Sequence, residues 1–251
     1  MELERLTSRK NPYIQELRAL AADGEYRRRQ GQYVCDGMKL LREAVDKGAE
    51  LCSVLWREKA ETLPGLESVR QYLAPAELFD YASPMKNSPG PVFTVRLPQE
   101  GSRGPIRRAI ALETVQDPGN LGTVVRTALG LGVDAVILCG DCADLYSPKA
   151  ARATMGAVFR QRVIRTDLPG LKALAVSSGL PLYGAALTES ARDIRGVDVK
   201  NAVIAVGSEG QGLSGELLEL CDGQVIIPME KDSQSLNAAA AAAVIMWEMC
   251  R

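Results

Sequence analysis

The chain contains no histidine among its 251 residues. That absence excludes every mechanism built on an imidazole: the Ser-His-Asp triad, the Cys-His pair, the histidine-rich zinc hydrolase and the histidine general base. Acid-base chemistry must fall to Asp, Glu, Lys, Arg, Tyr, Cys or the substrate. Cysteine is sparse, and of the six only Cys139 and Cys142 make a C-x-x-C pair. Zinc needs two more ligands, which the scattered Cys35, Cys52, Cys221 and Cys250 do not offer as a second pair, so no metal is expected and the cysteines read as buried thiols. Long apolar runs are missing as well. The most hydrophobic stretch, Ala238 to Trp247, is shorter than the ~20 residues of a membrane span. Met1 is followed by Glu2 and Glu4 rather than by a basic stretch and an apolar run, so the expectation is a cytoplasmic protein without a membrane partner. No G-x-x-x-x-G-K-[ST] occurs, which removes the P-loop hydrolases.

What is present fits a globular protein of two domains, with 46% hydrophobic and 24% charged residues. The net charge of -1 hides an asymmetry: residues 1–108 carry 18 Lys and Arg against 15 Asp and Glu, a net of +3, and the remainder carry 12 against 16, a net of -4. Bases bunch at Arg9-Lys10 and at Arg27-Arg28-Arg29, which become candidate RNA phosphate contacts, although any one such cluster also fits a plain solvated face. The stretch Leu97 to Pro105 is rich in proline and glycine and nearly free of apolar side chains, and it divides the chain into a first domain over 1–97, a linker over 98–108 and a second domain over 109–251.

In the first domain the patterning predicts a helix over Pro12–Ala22, a strand over Gln32–Cys35, a helix over Gly37–Lys47, and strands over Cys52–Trp56 and Val92–Val95, a small α/β unit behind a basic helical arm. After the linker, near-continuous apolar strands over 109–115, 135–138, 162–164, 182–185, 202–206 and 224–227 alternate with helices over 121–131, 148–158, 168–178, 213–221 and 235–250. That is the pattern of a parallel sheet covered on both faces, hence an α/β fold. Gly210 to Gly215 satisfies G-x-G-x-x-G with Glu230 about twenty residues on. The helix it opens is barely two turns, and too little chain follows for a two-halved nicotinamide fold, so the match reads as a decoy.

Three segments carry the chemistry. Asp117-Pro118-Gly119-Asn120 makes a turn at the end of the first strand of the second domain. Asn120 is suited to cap the following helix, from whose second turn Arg126 projects. Gly207-Ser208-Glu209-Gly210-Gln211-Gly212 follows another strand and allows close backbone approach to a ligand, with Glu209 as its one charge. Ile226-Ile227-Pro228-Met229 precedes a polar loop and Ser235-Leu236-Asn237, where Ser235 can cap the last helix. The six alanines after Asn237 lack bulk and mark a close approach of two backbones.

In this order the three segments resemble the motifs of the SpoU (TrmH) family of SPOUT methyltransferases. Asn120, Gly122, Arg126, Thr127 and Ala128 match the first, Gly207, Glu209 and Gly212 the second, and Ile227 to Met229 with Ser235 to Asn237 the third. The N-terminal Ser8-Arg9-Lys10-Asn11-Pro12, Arg28 and Val34-Cys35-Asp36-Gly37 resemble the opening of ribosomal-RNA methyltransferases that carry a small substrate-binding domain. Two departures stand out: Asp36 where Glu is commoner, and Ala238-Ala239 in place of Val-Ser.

The resemblance implies a homodimer with a trefoil-knotted, SPOUT-type parallel-sheet domain and a smaller N-terminal α/β RNA-binding domain. It further implies methyl transfer from S-adenosylmethionine to a ribose 2′-hydroxyl, of ribosomal RNA in preference to transfer RNA, with a catalytically silent RNA-binding relative as the other reading. It assigns Gly207, Gly212, Ile227, Pro228 and Leu236 to the cofactor. Arg126 takes the catalytic position, with Asn120, Glu209, Ser235 and Asn237 orienting it and the ribose. A guanidinium keeps its proton at neutral pH, so the arginine's part is to grip a phosphate and stabilise the developing alkoxide.

Overall fold

Four helices begin the same way, with a short polar cap and a proline in the first turn. Asn11 precedes Pro12, Asp117 precedes Pro118, Ser147 precedes Pro148, and Asp167 stands two residues before Pro169. Each cap oxygen accepts a first-turn N–H, while proline presets φ where its missing donor costs nothing. The computed structural model describes residues 3–98, 104–230 and 236–251, so part of the expected linker lies outside it. The chain forms two compact units, Met1–Gly101 with Asp144–Phe159, and Ser102–Ala143 with Arg160–Arg251.

The first unit contains β1 (Glu4–Arg5), α1 (Pro12–Ala22), α2 (Gly24–Gln30), β2 (Gln32–Asp36), α3 (Met38–Asp46), β3 (Leu51–Arg57), β4 (Arg70–Ala74), α4 (Ala76–Ala82) and β5 (Val92–Arg96). Its mixed sheet has the order β1-β4-β3-β5-β2. One face of α1 buries Ile14, Leu17 and Leu20 among Val34, Leu55, Phe79 and Val92. Helix α2 escaped the apolar pattern because a seven-residue helix with three arginines has no stripe to show. It is fixed by its ends, Asp23 accepting from Glu25 N at 2.8 Å and Gly31 closing it at φ 65°. Strand β4 and helix α4 were also missed.

The chain continues through β6 (Ala109–Glu113), α5 (Pro118–Leu131), β7 (Ala135–Cys139), α6 (Pro148–Ala153, which belongs to the first unit), β8 (Val163–Thr166), α7 (Leu168–Ser177), β9 (Leu182–Ala185), β10 (Arg192–Asp193), β11 (Val203–Val206), α8 (Gly215–Leu220), β12 (Gly223–Ile226) and α9 (Ala238–Cys250). Seven strands form one sheet of order β10-β12-β9-β11-β6-β7-β8, every pair parallel. All residues of β6, β7 and β11 are buried, which is why they read as unbroken apolar runs. Leu171, Ala175 and Leu217 cover one face. Helix α9 packs on α5 and on β11, and its buried Ala238, Ala239 and Ala242 let the backbones approach closely. The strand order is not that of a nicotinamide fold, so Gly210 to Gly215 heads no dinucleotide crossover.

All six cysteines are free thiols. Cys142 Sγ donates to the Leu112 and Cys139 carbonyls, and burial pushes the Cys139 thiol up to about 12, which makes it inert at neutral pH. Among the described residues no group of acidic, cysteine or histidine side chains could hold a metal ion, and no helix is long and apolar enough to cross a membrane.

Candidate functional site

The second unit places its motifs where the central strands end. Strand β11 runs into a glycine-rich loop over Gly207–Ser214, and an added Cβ at Gly207 would stand 2.0 Å from the carbonyl carbon and oxygen of Gly212 and 2.4 Å from Leu213 N. The loop doubles back on itself. Gly212 N–H donates to the Ser208 carbonyl at 2.9 Å, and Gly212 adopts a left-handed φ of 69°. The close approach that sequence reasoning assigned to a ligand at Gly207 is made first by the loop's own backbone.

Beneath this loop lies a residue that sequence reasoning missed. Glu113, at the end of β6, is 7% exposed, and its carboxylate accepts from Ser214 N at 2.8 Å and from Ser214 Oγ at 2.6 Å. Ser214 Oγ in turn caps α8 by accepting from Leu217 N. A glutamate at the end of an otherwise apolar strand was the available signal, since a buried charge needs a partner.

Above the loop, Asn120, Glu209 and Asn237 join three motifs in one network. Glu209 Oε1 accepts from Asn120 Nδ2 at 2.6 Å, Asn237 Nδ2 at 2.5 Å and Ala238 N at 3.3 Å, and Asn237 Nδ2 also reaches Asn120 Oδ1 at 3.2 Å. Both caps differ from expectation. Asp117, not Asn120, caps α5 by accepting from Asn120 N, because Pro118 starts the helix earlier, and the Asn120 side chain is thereby released for Glu209. Asn237 itself caps α9, its Oδ1 accepting from Ala239 N at 2.9 Å and Ala240 N at 3.2 Å, instead of sitting in the first turn. Ser235 lies outside the described residues.

Between these loops opens a cavity of about 450 Å³, in the range of small-molecule sites. Gly207, Gly212, Ile227 and Leu236 line it as expected, and Pro228 falls between two lining residues without lining it. Ala185 at the end of β9 and Ala186 to Thr188 after it complete the wall and were not anticipated, for nothing in that stretch carries a motif.

Arg126 is not brought to this cavity. Six residues at about 100° each set it roughly 120° around α5 from Asn120. It is exposed, in the third turn and not the second, with no hydrogen bond or ion pair among the described residues. In the first unit Arg9, Lys10, Arg28 and Arg29 are exposed. Arg27 is the exception at 4% exposure: it donates to Asp144 Oδ2 at 2.6 Å and 2.9 Å and to the Leu20 carbonyl at 2.5 Å. A guanidinium spent on an internal carboxylate is not available to a phosphate, so Arg27 leaves the candidate RNA set.

The fold and the three joined loops define an α/β enzyme of the methyltransferase type, and the chain belongs to the SpoU rRNA Methylase family, whose profile matches residues 107–247. An uncharacterised tRNA/rRNA methyltransferase of Synechocystis is 34% identical across 100% of this chain and 94% of that protein. The 23S rRNA (guanosine(2553)-2′-O)-methyltransferase RlmP of Bacillus subtilis is 27% identical across 98% and 99%. Among solved structures, the AdoMet-bound rRNA methyltransferase of Sinorhizobium meliloti superposes with a TM-score of 0.84 at 26% identity, covering 98% of this chain and 97% of that one.

Proposed function

We propose that this chain transfers a methyl group from S-adenosylmethionine to a ribose 2′-hydroxyl of ribosomal RNA, and that it works in the cytoplasm as a homodimer. The observation that carries the reading is the cavity with the Asn120–Glu209–Asn237 network at its side. The residues present fit the cofactor: an apolar wall of Leu187, Ile227, Met229 and Leu236 suits an adenosine, and loop backbone at Gly207 to Gly212 offers polar groups without side-chain bulk. When bound, S-adenosylmethionine supplies an electrophilic methyl group on a sulfonium.

The chain's own residues then align the ribose and help its proton leave. Glu209 Oε1 is taken by three donors, whereas Oε2 accepts no hydrogen bond among the described residues, so Oε2 is the oxygen left to receive a proton. Arg126 grips the adjoining phosphate and stabilises the oxyanion as it forms. Because α5 turns it away from its own chain's cavity, Arg126 serves the cavity of the second copy. The exposed Ala240, Val244 and Trp247 form one stripe along α9, at i, i+4 and i+7, that a second copy covers. Ribosomal RNA is favoured over transfer RNA because the first unit gives a large RNA a second place to dock. Mapping ribose methylation across cellular RNA with and without the gene tests the assignment: one ribosomal 2′-O-methyl group should vanish with the gene, and an unchanged map refutes it.

A further inference from the structure

The first unit carries an arginine–tyrosine–arginine cluster apart from the basic run of α2. The guanidinium of Arg18 lies 4.1 Å from the centroid of the Tyr81 ring and that of Arg9 lies 4.8 Å from it. Arg18 Nη1 also donates to the Tyr81 carbonyl at 2.7 Å. The group is held from several sides. Tyr81 sits in the last turn of α4, partly packed against the core of the unit. Arg9 lies in the turn before α1, where Asn11 N donates to the Ser8 carbonyl and Gln15 Nε2 to the Arg9 carbonyl at 2.5 Å. Both arginines are exposed, and among the described residues neither meets a carboxylate. Of the two acids on α4, Asp80 is engaged by Arg57 at 2.8 Å, and Glu77, one turn before Tyr81, is exposed and makes no ion pair with either arginine among the described residues.

Stacking on a ring orders a guanidinium without neutralising it. Two arginines so placed present full positive charge and flat surfaces that a nucleobase can stack on, next to donors for the flanking phosphates. A duplex hides its base faces, so this surface favours unpaired nucleotides. We infer that Arg9, Tyr81 and Arg18 form a stacking site for a single-stranded segment of the RNA substrate. The inference rests on the proposed RNA substrate and deepens it: it moves the main RNA contact of the first unit from Arg27–Arg29 to Arg9, Arg18 and Tyr81.

The loop after Tyr81 supports the same surface. Asp36 accepts from Ser83 Oγ at 2.8 Å and Ser88 Oγ at 2.5 Å, and Ser83 Oγ also accepts from Met85 N. This pins both ends of a turn whose tip exposes Lys86 and Asn87, the latter at φ 55°. The tip thus exposes a cation and an amide five and six residues after Tyr81.

The test measures binding of a fluorescent 20-nucleotide oligouridylate and of a fluorescent RNA duplex of 20 base pairs to the whole protein across a salt series. Arg9→Gln with Arg18→Gln should lower the log-log salt slope for the single strand by roughly 1.4, two contacts at about 0.7 each. Tyr81→Leu, which keeps apolar packing, should weaken single-strand binding by about fivefold or more, whereas Tyr81→Phe, which keeps the ring, should bind as wild type. Arg28→Gln with Arg29→Gln should have the smaller effect. Unchanged affinity and slope in the Arg9/Arg18 variant overturn the site, and an equal loss on the duplex overturns its single-strand character. Methyl transfer to ribosomal RNA reports separately on the parent reading: if transfer occurs but these variants bind normally, only the stacking site fails. If no transfer occurs while the variants lose RNA, the site stands and the activity falls.

Discussion

Replacing Gly207 by alanine separates two reasons for a glycine within one loop. Gly207 does not adopt a left-handed φ, so its conformation admits any residue, but its Cβ would lie 2.0 Å from the backbone of Gly212. Ordinary contact begins near 3.4 Å, so one methyl group must displace the 207–213 segment by about 1.4 Å, and the obstacle is backbone that cannot rotate away. Overpacking of this kind costs roughly 1–3 kcal/mol when the protein absorbs it. Here the strand end is fixed in the sheet and Ser214 is fixed on Glu113, so the displacement must fall on the loop that lines the cavity. S-adenosylmethionine affinity, read by isothermal titration calorimetry, should drop at least tenfold, and Gly207→Val should abolish binding. Gly210→Ala is the control, because nothing lies within 4 Å of its Cβ position and its φ is not left-handed. A Gly207→Ala protein that binds the cofactor within twofold of wild type would falsify the assignment of this loop to the pocket.

Arg126→Lys keeps the charge and loses the planar fork, so single-turnover methyl transfer should fall by about a hundredfold with cofactor affinity near normal; near-full activity would show that a simple cation suffices. Mixing Gly207→Val with Arg126→Lys chains should restore about a quarter of wild-type activity if Arg126 acts across a dimer, since half the dimers are mixed and each has one complete site, and none if it acts within its own chain. Trp247→Glu on α9 should yield monomers in sedimentation at micromolar concentration, and a monomeric wild type would sink the dimer itself. Glu113→Ala leaves the Ser214 N–H and hydroxyl without their acceptor, at a cost of about 1–3 kcal/mol, and should both weaken cofactor binding and lower the melting temperature of the second unit, to which it belongs. Asp222 is held below its ordinary value first by the Leu182 N–H and then by Lys172. Its stabilisation is therefore present above the ordinary aspartate range and lost as pH falls through the folded value, so Asp222→Asn should be less stable than wild type at pH 7 and equal to it in strong acid. A constant difference across that titration would refute the linkage.

Much of the second unit was legible because its central strands are buried on both faces and two of its helices, α5 and α7, have a capped proline in the first turn. Leu182–Ala185 is the clearest case, with both ends as expected from the apolar run alone. Strand order was not legible, since periodicity reports burial and not neighbours. The caps were placed at Asn120 and Ser235 where the structure uses Asp117 and Asn237, because several short polar residues cluster at each start and only the fold decides which of them faces the helix. Arg27 shows the limit of reading charge from a run. Three consecutive arginines look alike in sequence, yet a seven-residue helix must turn one of them inward, and Asp144, 117 residues away, decides which. Glu113 was missed because a single acid at a strand end carries no spacing to recognise.

The central claim is tested most directly by incubating the purified protein with methyl-labelled S-adenosylmethionine and unmodified ribosomal RNA of both subunits, then hydrolysing the RNA in alkali. A 2′-O-methyl group blocks the neighbouring hydroxyl from attacking the phosphodiester, so the account predicts label in one alkali-resistant dinucleotide and its loss with Arg126→Lys. Label recovered in alkali-sensitive mononucleotides, which places the methyl on a base, or no label in RNA at all, would contradict it.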